Sequence, residues 1–248
     1  MTLETFFQTV PRAAAAFSGG TDSAFLLWAA KHCGCDIRAY YVKTAFQPDF
    51  ELADARRLCR ELSIPLTVLE ADILAVPGAA ANGPDRCYHC KRALFSLLRE
   101  AARRDGYDLL LDGTNASDDA GDRPGMRALR ELEVRSPLRE CGLTKDEVRL
   151  RSRQAGLFTW DKPAYACLAT RVPTGTPITA PDLEKVERAE EALAALGFSD
   201  FRVRLFHGAA RLQVTRAQLP LALEKRTDLL AALGGDFSQV LLDLEVRP

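Results

Sequence analysis

Ala13-Ala14-Ala15-Ala16-Phe17-Ser18-Gly19-Gly20-Thr21-Asp22-Ser23-Ala24-Phe25 is the stretch on which the fold turns. The small apolar run from Ala13 to Phe17 predicts a buried strand, and the residues from Asp22 to His32 predict a helix. Between them two glycines allow a tight turn that brings backbone N–H groups close to an anion. The helix start behind them adds partial positive charge. Ser18, Thr21 and Ser23 contribute hydroxyl groups. Asp22 is a carboxylate suited to Mg²⁺, an ion that bridges phosphates. No Gly-Lys-Ser/Thr follows, so this is not a Walker loop.

Strand and helix continue to alternate outward from this turn. Ile37 to Lys43 is β-rich, Phe50 to Leu62 helical and Pro65 to Glu70 strand-like. Cys90 to Arg104 is amphipathic, with Leu94, Leu97, Leu98 and Ala101 on one face. Leu109 to Leu111 is a short buried strand before Asp112-Gly113, and Val134 to Leu138 reads as another strand. Thr144 and Glu147 form a capping box for a helix ending at Gln154. This alternation predicts an α/β fold with a doubly wound parallel sheet. Ligands of such sheets sit at the carboxyl ends of the strands, which places the loops at Ser18, Lys43 and Gly113 on one rim. Backbone contact from Gly113 and Thr114 to a nucleotide follows from that placement.

Pro163, Pro173, Gly175 and Pro177 interrupt all periodicity between residues 156 and 180. Beyond them the pattern is helix (Asp182 to Leu196), strand (Phe201 to Phe206), strand (Ala210 to Thr215), helix (Leu219 to Leu233) and strand (Gln239 to Leu244). The expected organisation is a nucleotide-binding part at 1–155, a connecting functional loop at 156–180 and a smaller α+β part at 181–248.

The chain has 248 residues, 47% hydrophobic and 27% charged, with a net charge of −1. This is globular composition, and it marks the chain neither as a nucleic-acid binder nor as a membrane binder. No apolar run approaches the roughly 20 residues of a membrane span. No signal peptide is read at Met1-Thr2-Leu3-Glu4-Thr5, so a cytoplasmic location is the expectation.

Seven cysteines without an export signal point away from a disulfide scaffold. Arg86-Cys87-Tyr88-His89-Cys90-Lys91 is a Cys-x-x-Cys at a helix start, where the helix dipole favours thiolate. Cys167 lies in the interrupted region beside Arg171, a residue able to lower its pKa. Packing residues, a redox pair and a metal site all remain open for Cys87 and Cys90. Zinc wants a fourth ligand, and His89 is poorly placed between the pair. An iron–sulfur cubane on three cysteines leaves one iron open to carry an extra sulfur. Cys33, Cys35, Cys59 and Cys141 read as packing residues.

In Phe201-Arg202-Val203-Arg204-Leu205-Phe206-His207, Arg202 and Arg204 share one strand face, roughly 6.6–6.8 Å apart. Paired guanidinium forks suit a phosphate; a solvated strand face is the alternative, and His207 reads as a local hydrogen-bonding residue. Lys91 and Arg171 flank the cysteines, either to neutralise anions there or as ordinary surface charge. Asp118 or Asp119 is a candidate to assist Mg²⁺, with a merely solvated acidic loop as the alternative.

Ser18-Gly19-Gly20-Thr21-Asp22-Ser23 resembles the PP-loop of the ATP pyrophosphatases. That group cleaves ATP between the α- and β-phosphates, adenylylating a substrate oxygen that nitrogen or sulfur then displaces. A narrower resemblance covers nearly the whole chain. The PP-loop, Asp85 to Lys91, Gly113-Thr114-Asn115, Asp122-Arg123-Pro124-Gly125 and Cys167-Leu168-Ala169-Thr170-Arg171 occur together in the order seen in the LarE family of sulfur transferases. The resemblance implies that ATP and Mg²⁺ activate the carboxylates of pyridinium-3,5-biscarboxylic acid mononucleotide for conversion to thiocarboxylates. It further implies phosphate binding by Arg202 and Arg204, a homo-oligomer and a sulfur donor. Family members with three cysteines are similar to cluster-dependent enzymes, which implies a [4Fe-4S] cluster on Cys87, Cys90 and Cys167. In members with a single cysteine, the residue matching Cys167 gives up its own sulfur. A PP-loop enzyme that thiolates tRNA is a further alternative, disfavoured by the near-neutral charge and the lack of an RNA-binding domain. An ATP-binding or iron–sulfur sensor without turnover is another.

Overall fold

The structure is a computed structural model that describes residues 1–118 and 124–247. Asp119, Asp122 and Arg123, singled out above, lie outside the described residues, as does Pro248.

A short helix, α1 (Leu3–Thr9), leads into β1 (Arg12–Ala16), α2 (Thr21–His32), β2 (Asp36–Lys43), α3 (Asp49–Glu61) and β3 (Leu66–Glu70). Then come α4 (Pro77–Ala80), α5 (Arg86–Arg104), β4 (Leu110–Leu111), α6 (Pro124–Glu131), α7 (Pro137–Glu140) and α8 (Lys145–Gln154). The first four strands form one sheet in the order β3-β2-β1-β4, and every pairing in it is parallel. The alanines of β1 divide between its two faces. Ala13 and Ala15 pack with α1, α2, α3 and α8, while Ala14 packs against Leu98, Ala101 and Ala102 of α5. Helices therefore cover both faces, as expected for a parallel sheet.

Two departures from the sequence expectations have local causes. Only Arg135 of the segment from Val134 to Leu138 joins the sheet, as an isolated bridge to Leu111. Pro137 at the first helical position starts α7 instead. Helix α5 begins four residues earlier than its apolar periodicity suggests, so Cys87 and Cys90 lie within its first turns.

After the 156–180 segment, α9 (Ala180–Ala195), β5 (Arg202–Phe206), β6 (Ala209–Gln213), α10 (Leu219–Glu224), α11 (Arg226–Leu233) and β7 (Val240–Leu242) build a three-stranded sheet. The predicted single helix from Leu219 to Leu233 is two helices, parted at Lys225. β5 runs antiparallel to β6, and β6 parallel to β7. This sheet has its own apolar core around Leu193, Val203, Leu212 and Leu229. Another core joins the two sheets, packing Leu168, Ala169 and Val172 against Phe46, Ile73 and Val186. No helix among the described residues is long and apolar enough to cross a membrane.

Two glycines set the geometry at the mouth of β1. Gly19 has φ +75°, and a Cβ there would lie 2.7 Å from the Glu51 carbonyl oxygen. A Cβ on Gly113, at the end of β4, would lie 2.7 Å from the backbone nitrogen of Ser23 and 2.9 Å from its Cα. Gly113→Ala must push β4 off the start of α2, at about 1–3 kcal/mol for overpacking. The expected result is a lower melting temperature together with weaker nucleotide binding, read by thermal denaturation with and without MgATP. An unchanged nucleotide-induced shift in the variant would contradict this account.

Candidate functional site

One cavity of about 410 Å³ opens at the carboxyl ends of β1, β2 and β4. It gathers Ser18, Asp22, Ser23, Gly113 and Thr114 from the strand-end rim and Cys87, Cys90, Lys91 and Cys167 from the opposite, thiol-bearing wall. Ala16, Phe17, Tyr40, Val42, Leu94 and Phe95 give it an apolar wall.

The rim is held by its own hydroxyls. Ser18 and Ser23 share a hydrogen bond of 3.0 Å between their Oγ atoms, and Ser23 Oγ also donates to the Gly20 carbonyl at 3.2 Å. Gly20 caps α2 without any side-chain hydrogen bond. The first amides of the helix thus have no side-chain acceptor, the condition under which a helix start takes an anion. Gly19, Gly20 and Thr21 shape the loop from behind without lining the cavity. Thr21 Oγ1 is not free for a ligand, because it donates to the Thr159 carbonyl at 2.7 Å.

Asp22 carries a contact not foreseen from sequence. Its Oδ2 accepts from Lys145 Nζ at 2.6 Å, while its Oδ1 is buried without a hydrogen-bond partner. An orphaned carboxylate oxygen facing a nucleotide rim fits a magnesium ion by donor chemistry. Asp118 also lines the cavity and accepts from the Asn115 amide at 2.9 Å. Asp112 organises the end of β4, accepting from Thr114 Oγ1 at 2.5 Å and Ser136 Oγ at 2.6 Å. Lys43 ends β2 on this rim, as expected, but does not itself line the cavity: its ammonium donates to the Gln47 carbonyl at 2.5 Å and stands 2.6 Å from Asp49.

Cys87, Cys90 and Cys167 face one cavity, a donor set that an iron–sulfur cluster would take. Among the described residues no group of three His, Cys, Asp or Glu is arranged to hold a single metal ion. His89 packs its ring against Gly78 and does not line the cavity. The thiolate expected at the helix start is corrected for Cys90. Burial pushes the Cys90 thiol up to about 12, and burial pushes Cys167 up as well, against the opposing pull of Arg86 and Arg171. Desolvation outweighs the helix dipole here. Of the remaining cysteines, Cys35 and Cys59 are in the main core, and Cys33 and Cys141 pack against it.

Arg86 is the clearest residue missed by sequence reasoning. Its Nη1 donates to Asn82 Oδ1 at 2.6 Å and to the Ala169 carbonyl at 3.0 Å, and its Nη2 approaches Cys87 Sγ at 3.8 Å. Asn82, fully buried with φ +55°, donates to the Pro173 and Thr176 carbonyls at 2.9 and 3.0 Å. Together they fasten the Cys167 turn to the start of α5. Lys162 fastens the same segment to the nucleotide loop, donating to the Gly19 carbonyl at 3.2 Å and to Asp54 at 2.6 Å.

Arg171 is not a surface charge, and it does not line the cavity that the cysteines face. It is 1% exposed and pairs through two nitrogens with Glu190, at 2.6 and 3.0 Å. Glu190 also accepts from Tyr165 Oη at 2.5 Å and from the Val203 amide at 2.9 Å. This network ties the Cys167 segment to α9 and β5. Breaking such a buried pair from one side costs about 3–5 kcal/mol. Glu190→Ala is expected to lose stability of that order in denaturant unfolding, whereas a loss below about 1 kcal/mol would place the pair among exposed ones.

Arg202 and Arg204 do not act as neighbours. Arg202 is buried, donating to the Ala164 and Phe201 carbonyls, and burial lowers its pKa to about 10. Arg204 donates to Gln213 Oε1 at 2.7 Å and to the Thr170 carbonyl at 2.6 Å. Neither lines the cavity that holds the cysteines.

Burial pushes the Glu51 carboxyl on α3 up to about 7, opposed by Lys162. A folded-state pKa raised above the unfolded one favours the folded state below about pH 4.5, and that advantage is lost as pH rises through about 7. Glu51→Gln should remove this part of the stability–pH profile, as measured by urea unfolding at pH 5 and pH 8.

The parallel sheet, the open amides behind Gly20 and the cavity at the strand ends define an α/β protein with a ligand site at its strand termini. No family model matches the chain. Over 248 residues, 98% of this chain and 89% of the relative, it is 33% identical to pyridinium-3,5-bisthiocarboxylic acid mononucleotide synthase of Lactiplantibacillus plantarum. It is also 38% identical over 221 residues to an uncharacterized protein of Synechocystis, covering 88% of this chain and 81% of that one. An uncharacterized protein of Methanocaldococcus jannaschii is 27% identical over 231 residues, 93% of this chain and 88% of its own. The chain belongs to the LarE family, that of the Lactiplantibacillus synthase.

Proposed function

We propose that this chain is an ATP-dependent sulfur transferase that converts the carboxylates of pyridinium-3,5-biscarboxylic acid mononucleotide to thiocarboxylates. The observation that carries this reading is the single cavity joining the Ser18–Ser23 loop to Cys87, Cys90 and Cys167, in a chain akin to the thiocarboxylate-forming synthase throughout its length.

In this reading residues 1–155 bind ATP in the manner of a PP-loop ATP pyrophosphatase. Residues 156–180 carry the sulfur residue, and residues 181–248 serve substrate binding and self-association. The amides after Gly20, with Ser18 and Ser23, hold the phosphates. Asp22, through the carboxylate oxygen that has no partner in the chain, would hold Mg²⁺, which would neutralise phosphate charge when bound. Lys145, paired with the other oxygen of Asp22, places a cation beside the same phosphates. Gly113 and Thr114 border the nucleotide, and Lys91 neutralises the substrate carboxylate as it approaches the α-phosphate. A carboxylate oxygen attacks that phosphorus, pyrophosphate leaves, and sulfur attacks the acyl carbon to expel AMP.

Two sulfur sources are compatible with the cysteines. A [4Fe-4S] cluster held by Cys87, Cys90 and Cys167 would leave one iron free to carry the transferred sulfur, and the three-thiol donor set favours it. In the second, Cys167 gives up its own sulfur and becomes dehydroalanine.

The test is anaerobic turnover with MgATP, the biscarboxylate and sulfide, following thiocarboxylate, AMP and pyrophosphate. Cys167→Ala abolishes product under either source. Four iron and sulfide per chain, lost in Cys87→Ala along with activity, is the outcome for the cluster. A protein lighter by one hydrogen sulfide after turnover, with Cys87→Ala still active, is the outcome for sacrifice. Wild type that hydrolyses ATP and forms no thiocarboxylate under either regime would overturn the assignment.

A further inference from the structure

The charges that line the main cavity are sorted by wall. Its carboxylates, Asp22, Asp112 and Asp118, lie in the first turn of α2 and in the segment after β4. Among the described residues, the only cations lining it are Arg86 and Lys91, both from the first turns of α5 on the thiol-bearing wall. In the reading above, metal and triphosphate occupy the carboxylate end. The two cations at the other end are left to meet an anion other than ATP.

Lys91 already serves the carboxylate that is adenylylated. The assigned substrate carries a second carboxylate on the other side of its ring, and Arg86 is placed to take it. Nη1 of Arg86 is held in place, donating to Asn82 Oδ1 at 2.6 Å and to the Ala169 carbonyl at 3.0 Å. Asn82 is itself fully buried. Nη2 meets only a thiol sulfur, that of Cys87 at 3.8 Å, and sulfur is a weak acceptor. The partners of Arg86 among the described residues are thus an amide, a carbonyl and a thiol, with no carboxylate. A guanidinium so fixed gives up little side-chain freedom when a ligand arrives. Its planar fork matches a carboxylate.

We propose that Arg86 is a specificity residue that binds the second, non-reacting carboxylate of the substrate, while Lys91 meets the one that reacts. The proposal rests on the pyridinium biscarboxylate assigned above as substrate. A nucleotide with a single carboxylate leaves one of the two cations unfilled, so the pair selects for two. The same geometry serves the second conversion. The ring must then turn over to bring its remaining carboxylate to ATP, and the new thiocarboxylate, also an anion, lies against Arg86. Because Arg86 also holds the Ala169 carbonyl, the bound anion is tied to the Cys167 turn.

The experiment measures binding by anaerobic calorimetry on the full chain. The probes are pyridinium-3,5-biscarboxylic acid mononucleotide, nicotinic acid mononucleotide with one carboxylate, and nicotinamide mononucleotide with none. Each is titrated into wild type, Arg86→Gln and Arg86→Lys. Wild type is expected to bind the biscarboxylate at least about tenfold tighter than the monocarboxylate, the low end for one charged hydrogen bond. Arg86→Gln should bring the biscarboxylate down to the affinity of the monocarboxylate. It should leave the monocarboxylate and MgATP within about twofold of wild type. Arg86→Lys should fall between, keeping a point charge without the fork. A residue that only fastened the Cys167 turn would weaken all three probes alike. That result, or a preference for the biscarboxylate unchanged in both variants, overturns the proposal. So does a wild type with no preference for two carboxylates, an outcome that needs neither variant to fold. Wild type that binds none of the three removes the substrate reading itself, and the proposal with it.

Discussion

The close approach of β4 to the first turn of α2 is the constraint on which the site depends. With no Cβ at Gly113, the strand end rests directly on the backbone of Ser23. That contact sets where the helix begins relative to the sheet. Because Gly20 provides no capping side chain, the amides of the first turn remain directed to whatever enters the cavity. Gly19 answers the same demand from the other side, where the Glu51 carbonyl presses on it. The loop is shaped less by its own hydrogen bonds than by two backbones that tolerate no side chain.

The second organising element is the buried group of Arg171, Glu190 and Tyr165. A charge pair so far from water gains little over apolar packing, but it is costly to break and exact about geometry. Here it orients a segment that has almost no regular structure of its own. Glu190 holds Arg171 and Tyr165 from one side and the Val203 amide from the other. The turn bearing Cys167 is thus placed by α9 and β5 as much as by the parallel sheet.

Much of this was legible in the sequence. The alanine run, the Gly-Gly turn and the Thr144–Glu147 capping box each express a local rule, and the structure has β1, α2 and α8 where those rules put them. Cys87, Cys90 and Cys167 were grouped by type, and they do face one cavity. What escaped depends on distance along the chain. Nothing near Lys145 signals that it pairs with Asp22, and nothing near Arg86 signals that it reaches Ala169. Period-two alternation correctly put Arg202 and Arg204 on one strand face, yet their different carbonyl acceptors send them to different places. The thiol shifts went unforeseen for a similar reason, since burial is a property of the assembled cores and not of the helix start. The strand read at Val134 to Leu138 failed at Pro137, whose fixed φ suits a helix start.

The hydrogen bond from Thr21 to Thr159 joins residues 138 apart, and that from Lys162 to Gly19 joins residues 143 apart. Contacts so remote close large loops and form late in folding. The pocket around Cys167 further requires β5, through Val203. The Ser18–Ser23 loop and the Cys167 turn therefore both wait for the 156–180 segment, and the turn waits further for β5. A chain cut short before β5 would carry all three cavity cysteines with the turn of one of them unheld.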